Sequence, residues 1–214
     1  MIVNIKNVTK TIRGALILDQ VTLEFHSGTV YGLQGPNGSG KTMLLRLMAG
    51  LILPTSGEVY VDGKRLGKEI DFPPSVGLLI ENPAFLPACT GLKNLELLAQ
   101  LQGRIGTEQI RQAIRDVGLE PDDKRTYRKY SLGMKQRLGI AAAIMERSEL
   151  LLLDEPTNAL DESGVEQMCQ LIRRERDRGA LVAVACHDRA ILDRLADEIY
   201  TVAEGKVERR GRHE

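Results

Sequence analysis

The sequence contains no tryptophan, and only 4% of its 214 residues are aromatic. Rows of aromatic stacking platforms, the usual grip on single-stranded nucleic acid, are therefore excluded. Charge of one sign is also missing. Lys and Arg total 29 and Asp and Glu total 29, a formal net charge of zero. That argues against a basic nucleic-acid coat and against an acidic disordered tail. Cysteine is scarce: Cys89, Cys169 and Cys186 are scattered with no CxxC spacing. Such an odd set reads as reduced thiols of the cytosol, not as a disulfide framework or a zinc site. Long apolar runs are absent. Leu150–Leu153 and Ala180–Cys186 have strand length, far short of the roughly 20 residues of a spanning helix. The opening MIVNIKNVTK has neither the basic region nor the apolar stretch of a signal peptide. If the protein acts at a membrane, another chain must do the spanning.

What is present is the balance of a soluble globular protein, 43% hydrophobic and 27% charged. With no repeat, low-complexity stretch or linker, a single domain over residues 1–214 is expected. Val21, Leu23 and Phe25 alternate with Thr22 and Glu24, as in an antiparallel sheet. A second such run, Glu58–Val61, ends in the hairpin signal Asp62-Gly63. Between them, Val30–Gln34, a glycine loop and MLLRLMAGL read as strand, loop and helix.

The middle of the chain is helical. Thr90 is a candidate N-cap, with Leu92, Leu95, Leu98 and Leu101 on one side of the helix that follows. Thr107 caps a second helix carrying Ile110, Ala113, Ile114 and Val117 and ending near Gly118. A third starts near Ser131, with Met134, Leu138, Ala142 and Met145 on one face. Then β/α alternation returns. A leucine strand ends in Asp154-Glu155, and a helix runs from about Gly164 to Arg178. The strand ALVAVAC, a helix over about Arg189–Ala196 and a hairpin at Glu204-Gly205 follow, with a frayed tail from about residue 209. Apolar strands alternating with amphipathic helices imply a mostly parallel sheet covered on both faces.

Gly35-Pro36-Asn37-Gly38-Ser39-Gly40-Lys41-Thr42 follows the pattern GxxxxGK[ST]. Glycines let the backbone curl so that successive N–H groups face a phosphate, and the helix beginning near Lys41 adds its positive end. Lys41 reaches the β and γ phosphates, and the Thr42 hydroxyl is offered to Mg²⁺. Leu150–Leu153 delivers Asp154 and Glu155 to the edge where an α/β sheet does its chemistry. Asp154 suits Mg²⁺ and Glu155 a general base acting on water. Alone, this acidic pair would equally be a solvated turn.

Tyr130-Ser131-Leu132-Gly133-Met134-Lys135-Gln136-Arg137 lies just upstream, and EPTNALD continues the acidic strand. With these motifs in this order the sequence resembles the ATP-binding cassette (ABC) ATPases, over about Ile2–Val207. The resemblance implies an α/β P-loop (RecA-like) core with an N-terminal antiparallel β lobe and a helical signature lobe over about 82–147. It makes Ser131, Leu132, Gly133, Met134 and Lys135 the signature, acting across a head-to-tail dimer on nucleotide held by the other subunit. It makes Ala159, Leu160 and Asp161 the D-loop, and His187 the switch histidine that orients water and Glu155. His26 and His213 read as structural.

Two departures stand out. Glu81 occupies the place of the family's glutamine and is expected to ligate Mg²⁺ beside Thr42 and Asp154. This variant, with YSLGMKQRLGIA, resembles cassettes of bacitracin- and lantibiotic-type exporters. Ile12 stands where the family stacks adenine on an aromatic ring, with the Arg13 guanidinium as the candidate to lie over the base instead. The resemblance implies ATP and Mg²⁺ as ligands, an identical second cassette as partner, and two permease subunits bound through an apolar groove near Glu81–Leu97 (Phe85, Leu86, Leu92). Location would be cytoplasmic, at the inner face of the membrane through the permease, with no nucleic-acid partner. The other class weighed is a soluble ABC ATPase of DNA repair or translation, which usually carries coiled-coil insertions or two cassettes per chain. A P-loop GTPase or kinase leaves SLGMK and His187 without a task, and no NKxD-type motif occurs.

Overall fold

The computed structural model describes residues 1–81 and 83–211. Its first half runs β1 (Ile2–Ile12), β2 (Ala15–His26), β3 (Thr29–Gln34), α1 (Lys41–Met48), β4 (Ser56–Val61), β5 (Lys64–Arg65), β6 (Val76–Leu79) and α2 (Gly91–Gln102). The second half runs α3 (Thr107–Asp116), α4 (Leu132–Ile144), β7 (Leu150–Asp154), α5 (Glu162–Asp177), β8 (Leu181–Cys186), α6 (Arg189–Leu195), β9 (Glu198–Ala203) and β10 (Lys206–Arg209).

Two sheets form. The expected antiparallel lobe has the order β2-β1-β4-β5, and its last hairpin turns at Asp62 and Gly63, both at positive φ. The larger sheet has the order β10-β9-β3-β8-β7-β6 and is parallel except for β10. Its central strands are buried on both faces, which is why they read as unbroken apolar runs. In β7, Leu150 and Leu152 face the core under α1 and the antiparallel lobe. Leu151 and Leu153 face the core shared with α4, α5 and α6. The period of two survives inside a run that shows no polar alternation.

Register aligns the strand ends. Gln34 pairs with Cys186, and Asp154 with Ala185. The phosphate-loop segment, Glu155 and His187 therefore leave the sheet along one edge.

The helices correct several expectations. Thr90 does cap α2, its hydroxyl accepting from Lys93 N–H at 3.3 Å. The leucine stripe is not the buried face, however. Gly91, Asn94, Leu95 and Ala99 point inward, while Leu98 and Leu101 are 38% and 81% exposed. Side chains turn about 100° per residue, so a strict spacing of three drifts, and Leu92 and Leu101 end about 180° apart. For α3 the cap is Gly106, with Thr107 already helical, and Gln109 Oε1 accepts the Gly106 N–H. On α4 nearly every side chain from Gln136 onward is buried, not one face, because the helix lies between the sheet and α2 and α3. Helix α5 starts two residues earlier than expected because Asp161 caps it, accepting from Gly164 N–H at 3.1 Å.

The tail does not fray at residue 209. Arg209 pairs with Tyr200 in β10, and Arg210 bonds Gln34 Oε1 at 2.9 Å and the Asp193 carboxylate. His213 lies outside the described residues. Among those described, no helix is long and apolar enough to cross a membrane.

Candidate active site

The loop after β3 is shaped by close approach and by left-handed backbone. At Gly35 a Cβ would sit 2.3 Å from the Val202 carbonyl oxygen, so no larger residue fits without moving β9. Gly40, the last residue before α1, has φ 109°, a conformation that glycine adopts without strain. Lys41 is 5% exposed and folds back over the loop, donating to the carbonyls of Gly35 at 2.7 Å and Pro36 at 3.0 Å. Ser39 Oγ is the one buried side-chain N or O atom without a hydrogen-bond partner among the described residues. Lys41 and the first residues of α1 line one concavity, with the unpartnered Ser39 hydroxyl buried in the same loop. That donor set fits a polyphosphate.

Beyond the loop lie the tips of β7 and β8. Thr42 Oγ1 donates to Asp154 Oδ2 at 2.6 Å. Burial pushes the Asp154 carboxyl above its usual range. The Thr42 hydroxyl opposes this, the neighbouring Glu155 charge adds to it, and Lys41 and the Glu81 N–H oppose it. Glu155 is held at every polar group. Its N–H donates to Ala185 O at 2.8 Å, and its carbonyl accepts from Gln136 Nε2 at 2.9 Å and Asn158 N–H at 3.2 Å. Its carboxylate accepts from His187 N–H at 3.1 Å and lies 2.9 Å from His187 Nδ1. An ionised carboxylate offers only lone pairs, so the hydrogen of a neutral His187 belongs on Nδ1. These bonds hold Glu155 at φ 48°, a left-handed conformation that costs a non-glycine residue about 1–2 kcal/mol. Glu155 and Asp154 line the same cleft.

A cleft of about 410 Å³ opens over this edge. Glu155, Asp154, Thr42, Lys41 and Glu81 line one part, and Ile12, Ile17 and Met43 another. Glu81 is present, but its Oε1 sits 2.5 Å from Arg46 NH2 in an ion pair, with its side chain 62% exposed. Residues Ser131–Lys135 are not brought into the cleft. Ser131 Oγ caps α4 by accepting from Met134 N–H at 3.2 Å, and Leu132 is 66% exposed. Lys135 Nζ lies 5.3 Å over the Tyr127 ring. Ala159, Leu160 and Asp161 lie beside this segment. A Cβ on Gly133 would come within 2.7 Å of the Ala159 carbonyl oxygen, so the two segments touch within one chain. Ser163 Oγ and the Gly164 N–H hold the Asp161 carboxyl below its usual range.

The apolar groove expected near Glu81–Leu97 is partly filled. Phe85 packs edge-on against Tyr127 with centroids 5.3 Å apart, and Leu92 rests on the core, which leaves Leu86 exposed. Four contributors were not anticipated: Arg46, Gln136, Ile17 and Met43. Arg46 follows Thr42 by four residues on α1 and so shares its face, a spacing that was legible. Gln136 is a lone amide in an apolar helix, a weak signal. Ile17 enters through the β1–β2 pairing, which the sequence does not register.

Comparison with known proteins agrees with this geometry. A family model described as "ABC transporter" matches residues 18–158. The "Uncharacterized ABC transporter ATP-binding protein YybJ" of Bacillus subtilis (strain 168) is 43% identical over 206 residues, covering 96% of this chain and 94% of that protein. The "Bacitracin transport ATP-binding protein BcrA" of Enterococcus faecalis is 36% identical, covering 96% of this chain and 68% of its own. A solved dimeric ATP-binding cassette in a post-hydrolysis state, bound to ADP and Pi, superposes with a TM-score of 0.87 at 28% identity, covering 98% of this chain and 99% of its own.

Proposed function

The chain belongs to the ABC transporter family and is an ATP-binding ATPase, and from that premise we propose that it powers a membrane exporter as a dimer of identical cassettes. The observation that carries the catalytic reading is the Glu155–His187 contact at 2.9 Å, beside Asp154 and Thr42 and over the phosphate loop. The loop N–H groups and Lys41 hold the β and γ phosphates. Glu155 accepts a proton from water as its oxygen attacks the γ phosphorus, and the bond to the ADP oxygen breaks. His187 keeps the carboxylate turned toward that water. Catalysis therefore rests mainly on positioning and on charge, as phosphoryl transfer requires.

Thr42 and Asp154 supply the hard oxygen donors that Mg²⁺ prefers, with Asp154 acting through water, and the ion would neutralise charge on the phosphates. Among the described residues no group of three His, Cys, Asp or Glu side chains is placed to hold a metal ion, so the cation would depend on the nucleotide's own oxygens as well. Glu81 would join them by leaving Arg46.

In this reading Ser131–Lys135 cap the nucleotide of the second subunit, and Ala159–Asp161 line the seam. Residues of about 82–147 form the lobe that carries the signature and receives the permease at the cytoplasmic face of the membrane. Export is favoured by relatives named for bacitracin and lantibiotic transport. No nucleic-acid partner is invoked, in keeping with the zero net charge.

Glu155→Gln tests the core of this reading. Turnover should fall by about 10²–10⁴-fold, the usual worth of a general base. ATP binding should persist, and the dimer should accumulate on size chromatography with ATP and Mg²⁺. Normal turnover in the variant removes Glu155 from the base role.

A further inference from the structure

Helix α4 meets more than the sheet. Its opening carries Ser131–Lys135, and Gln136 bonds the carbonyl of Glu155. Gly139 makes room for Pro83, since a Cβ there would lie 2.8 Å from Pro83 Cβ. Pro83 follows Glu81 by two residues, and its carbonyl accepts from the Tyr127 hydroxyl at 2.5 Å. Tyr127 opens the helical turn Tyr127–Lys129, just before the signature. We propose that Tyr127 is a positioning residue: it locks the segment that leaves Glu81 onto the start of α4, and so fixes Ser131–Lys135 where the second subunit's nucleotide meets them. This deepens the dimer reading above and rests on it.

One residue reaches both partners. Toward the segment after Glu81, the Tyr127 hydroxyl holds Pro83, the ring packs edge-on against Phe85, and the Tyr127 N–H donates to Cys89 O at 2.8 Å. Toward the signature, the ring lies 6.0 Å from that of Tyr130, the residue before Ser131. Lys135 Nζ stands 5.3 Å from the same ring centroid. The ring thus supports the signature at both of its ends. Tyr127 is buried and is not among the residues that line the cleft over the phosphate loop. It acts through its neighbours and not on nucleotide.

The hydroxyl is the tie at the end nearest Glu81. Farther along, Leu86 is clasped independently by Asn94, whose Oδ1 accepts the Leu86 N–H at 2.8 Å and whose Nδ2 donates to Leu86 O at 3.2 Å. Proline has no N–H, so its carbonyl is the one backbone group through which Pro83 can be held by a hydrogen bond. Burial raises the Tyr127 phenol above its ordinary value of about 10, which keeps it a donor at neutral pH. A single bond of this kind is modest, so its loss frees the segment for part of the time rather than unfolding it. The signature is then correctly placed for only a fraction of the time, and affinity for the second subunit falls by that fraction.

The test uses the full chain carrying Glu155→Gln, in which the base no longer acts and the ATP-bound dimer accumulates. Dimer dissociation is measured by size chromatography over a range of protein concentrations with ATP and Mg²⁺, with and without Tyr127→Phe. Phenylalanine keeps the ring and removes the hydroxyl. The added change should weaken the dimer about tenfold, as when each of two signatures is correctly placed for about a third of the time. ATP affinity, titrated at dilutions where the chain is monomeric, should stay within about twofold, and the melting temperature within about 4 °C. Tyr127→Leu, which also loses the ring, should weaken the dimer further. An unchanged dimer overturns the proposal, because a role exerted through Glu155 alone is silent in this background. So does a loss of monomer ATP affinity in step with dimer affinity, the mark of a merely structural role. If Glu155→Gln forms no ATP-dependent dimer at all, the dimer reading itself falls and the proposal with it, an outcome distinct from an unchanged dimer.

Discussion

The tips of β7 and β8 and the segment Ser131–Lys135 lie at opposite extremes of internal satisfaction. Asp154 is 7% exposed and held by Thr42, and Glu155 is bonded through its N–H, its carbonyl and its carboxylate. Across the molecule, Ser131 is exposed and Leu132 is 66% exposed, and the close inward contact is that of Gly133 with Ala159. One half of the site is organised by bonds within the chain. The other is a rigid helix start presented outward. In the proposed role of general base, Glu155 has to be held still before substrate arrives, which its many bonds would achieve. In the proposed dimer, that outward surface would be completed by the second subunit.

The sharpest way to break this comparison is Ser131→Asp. Aspartate is as good an N-cap as serine, so α4 and the melting temperature should be preserved. Its charge would face the γ-phosphate of the other subunit, and turnover should fall by about a hundredfold or more, as when a transition-state donor is lost. Nucleotide affinity of the isolated monomer should hold. Mixing Ser131→Asp with Lys41→Ala should restore one of two sites, since one subunit keeps an intact loop and the other an intact signature. If Ser131→Asp retains full turnover, the segment is structural only, and the outward half of the comparison disappears.

These two halves were not equally legible in the sequence. The phosphate loop announces itself because its chemistry is local, with glycines, Lys41 and Thr42 contiguous in the chain. Asp154-Glu155 follows an apolar strand, and the parallel register that sets it beside the loop follows from burial of β7 and β8 on both faces. Contacts between distant segments were not legible. Glu81 reads as a metal ligand, yet it pairs with Arg46, 35 residues away, across the gap between α1 and the end of β6. The α2 leucines read as a core stripe because spacing alone does not say which face meets α3 and α4. Gly133 reads as part of a phosphate-binding motif, while its approach to Ala159 depends on a loop that closes only in the fold.

A milder perturbation sharpens the over-determined half. Gln136 is buried and reaches from the helix that Ser131 opens to the carbonyl of Glu155. Gln136→Met keeps the volume and removes that bond. The left-handed backbone at Glu155 then loses one of its restraints, and the carboxylate drifts. Turnover should drop by about tenfold, a modest share of what misplacement of a catalytic group can cost. ATP affinity should stay within about twofold and the melting temperature within about 4 °C. Loss of ATP affinity in step with turnover would show that Gln136 supports the fold of the cleft rather than the position of the base.

The smallest effect concerns what the strand tip sacrifices for function. Burial raises the Asp154 carboxyl above its ordinary value, with Thr42 and Lys41 opposing. The folded protein therefore holds this proton more tightly than the unfolded chain does. Its contribution to stability is complete below the ordinary carboxylate value of about 3.9 and is lost as pH rises through the folded-state value. Asp154→Asn keeps the shape and an oxygen for the Thr42 hydroxyl, and it has nothing to ionise. Free of nucleotide, the variant should melt above wild type at pH 7, and the gap should close as pH falls toward about 4. ATP with Mg²⁺ should raise the melting temperature of wild type more than that of the variant, because the stabilisation follows ligand affinity and the variant lacks the carboxylate. A gap that widens on acidification would mean that the neighbours of Asp154 already overcompensate its burial, and that this end of the cleft carries no cost for its charge.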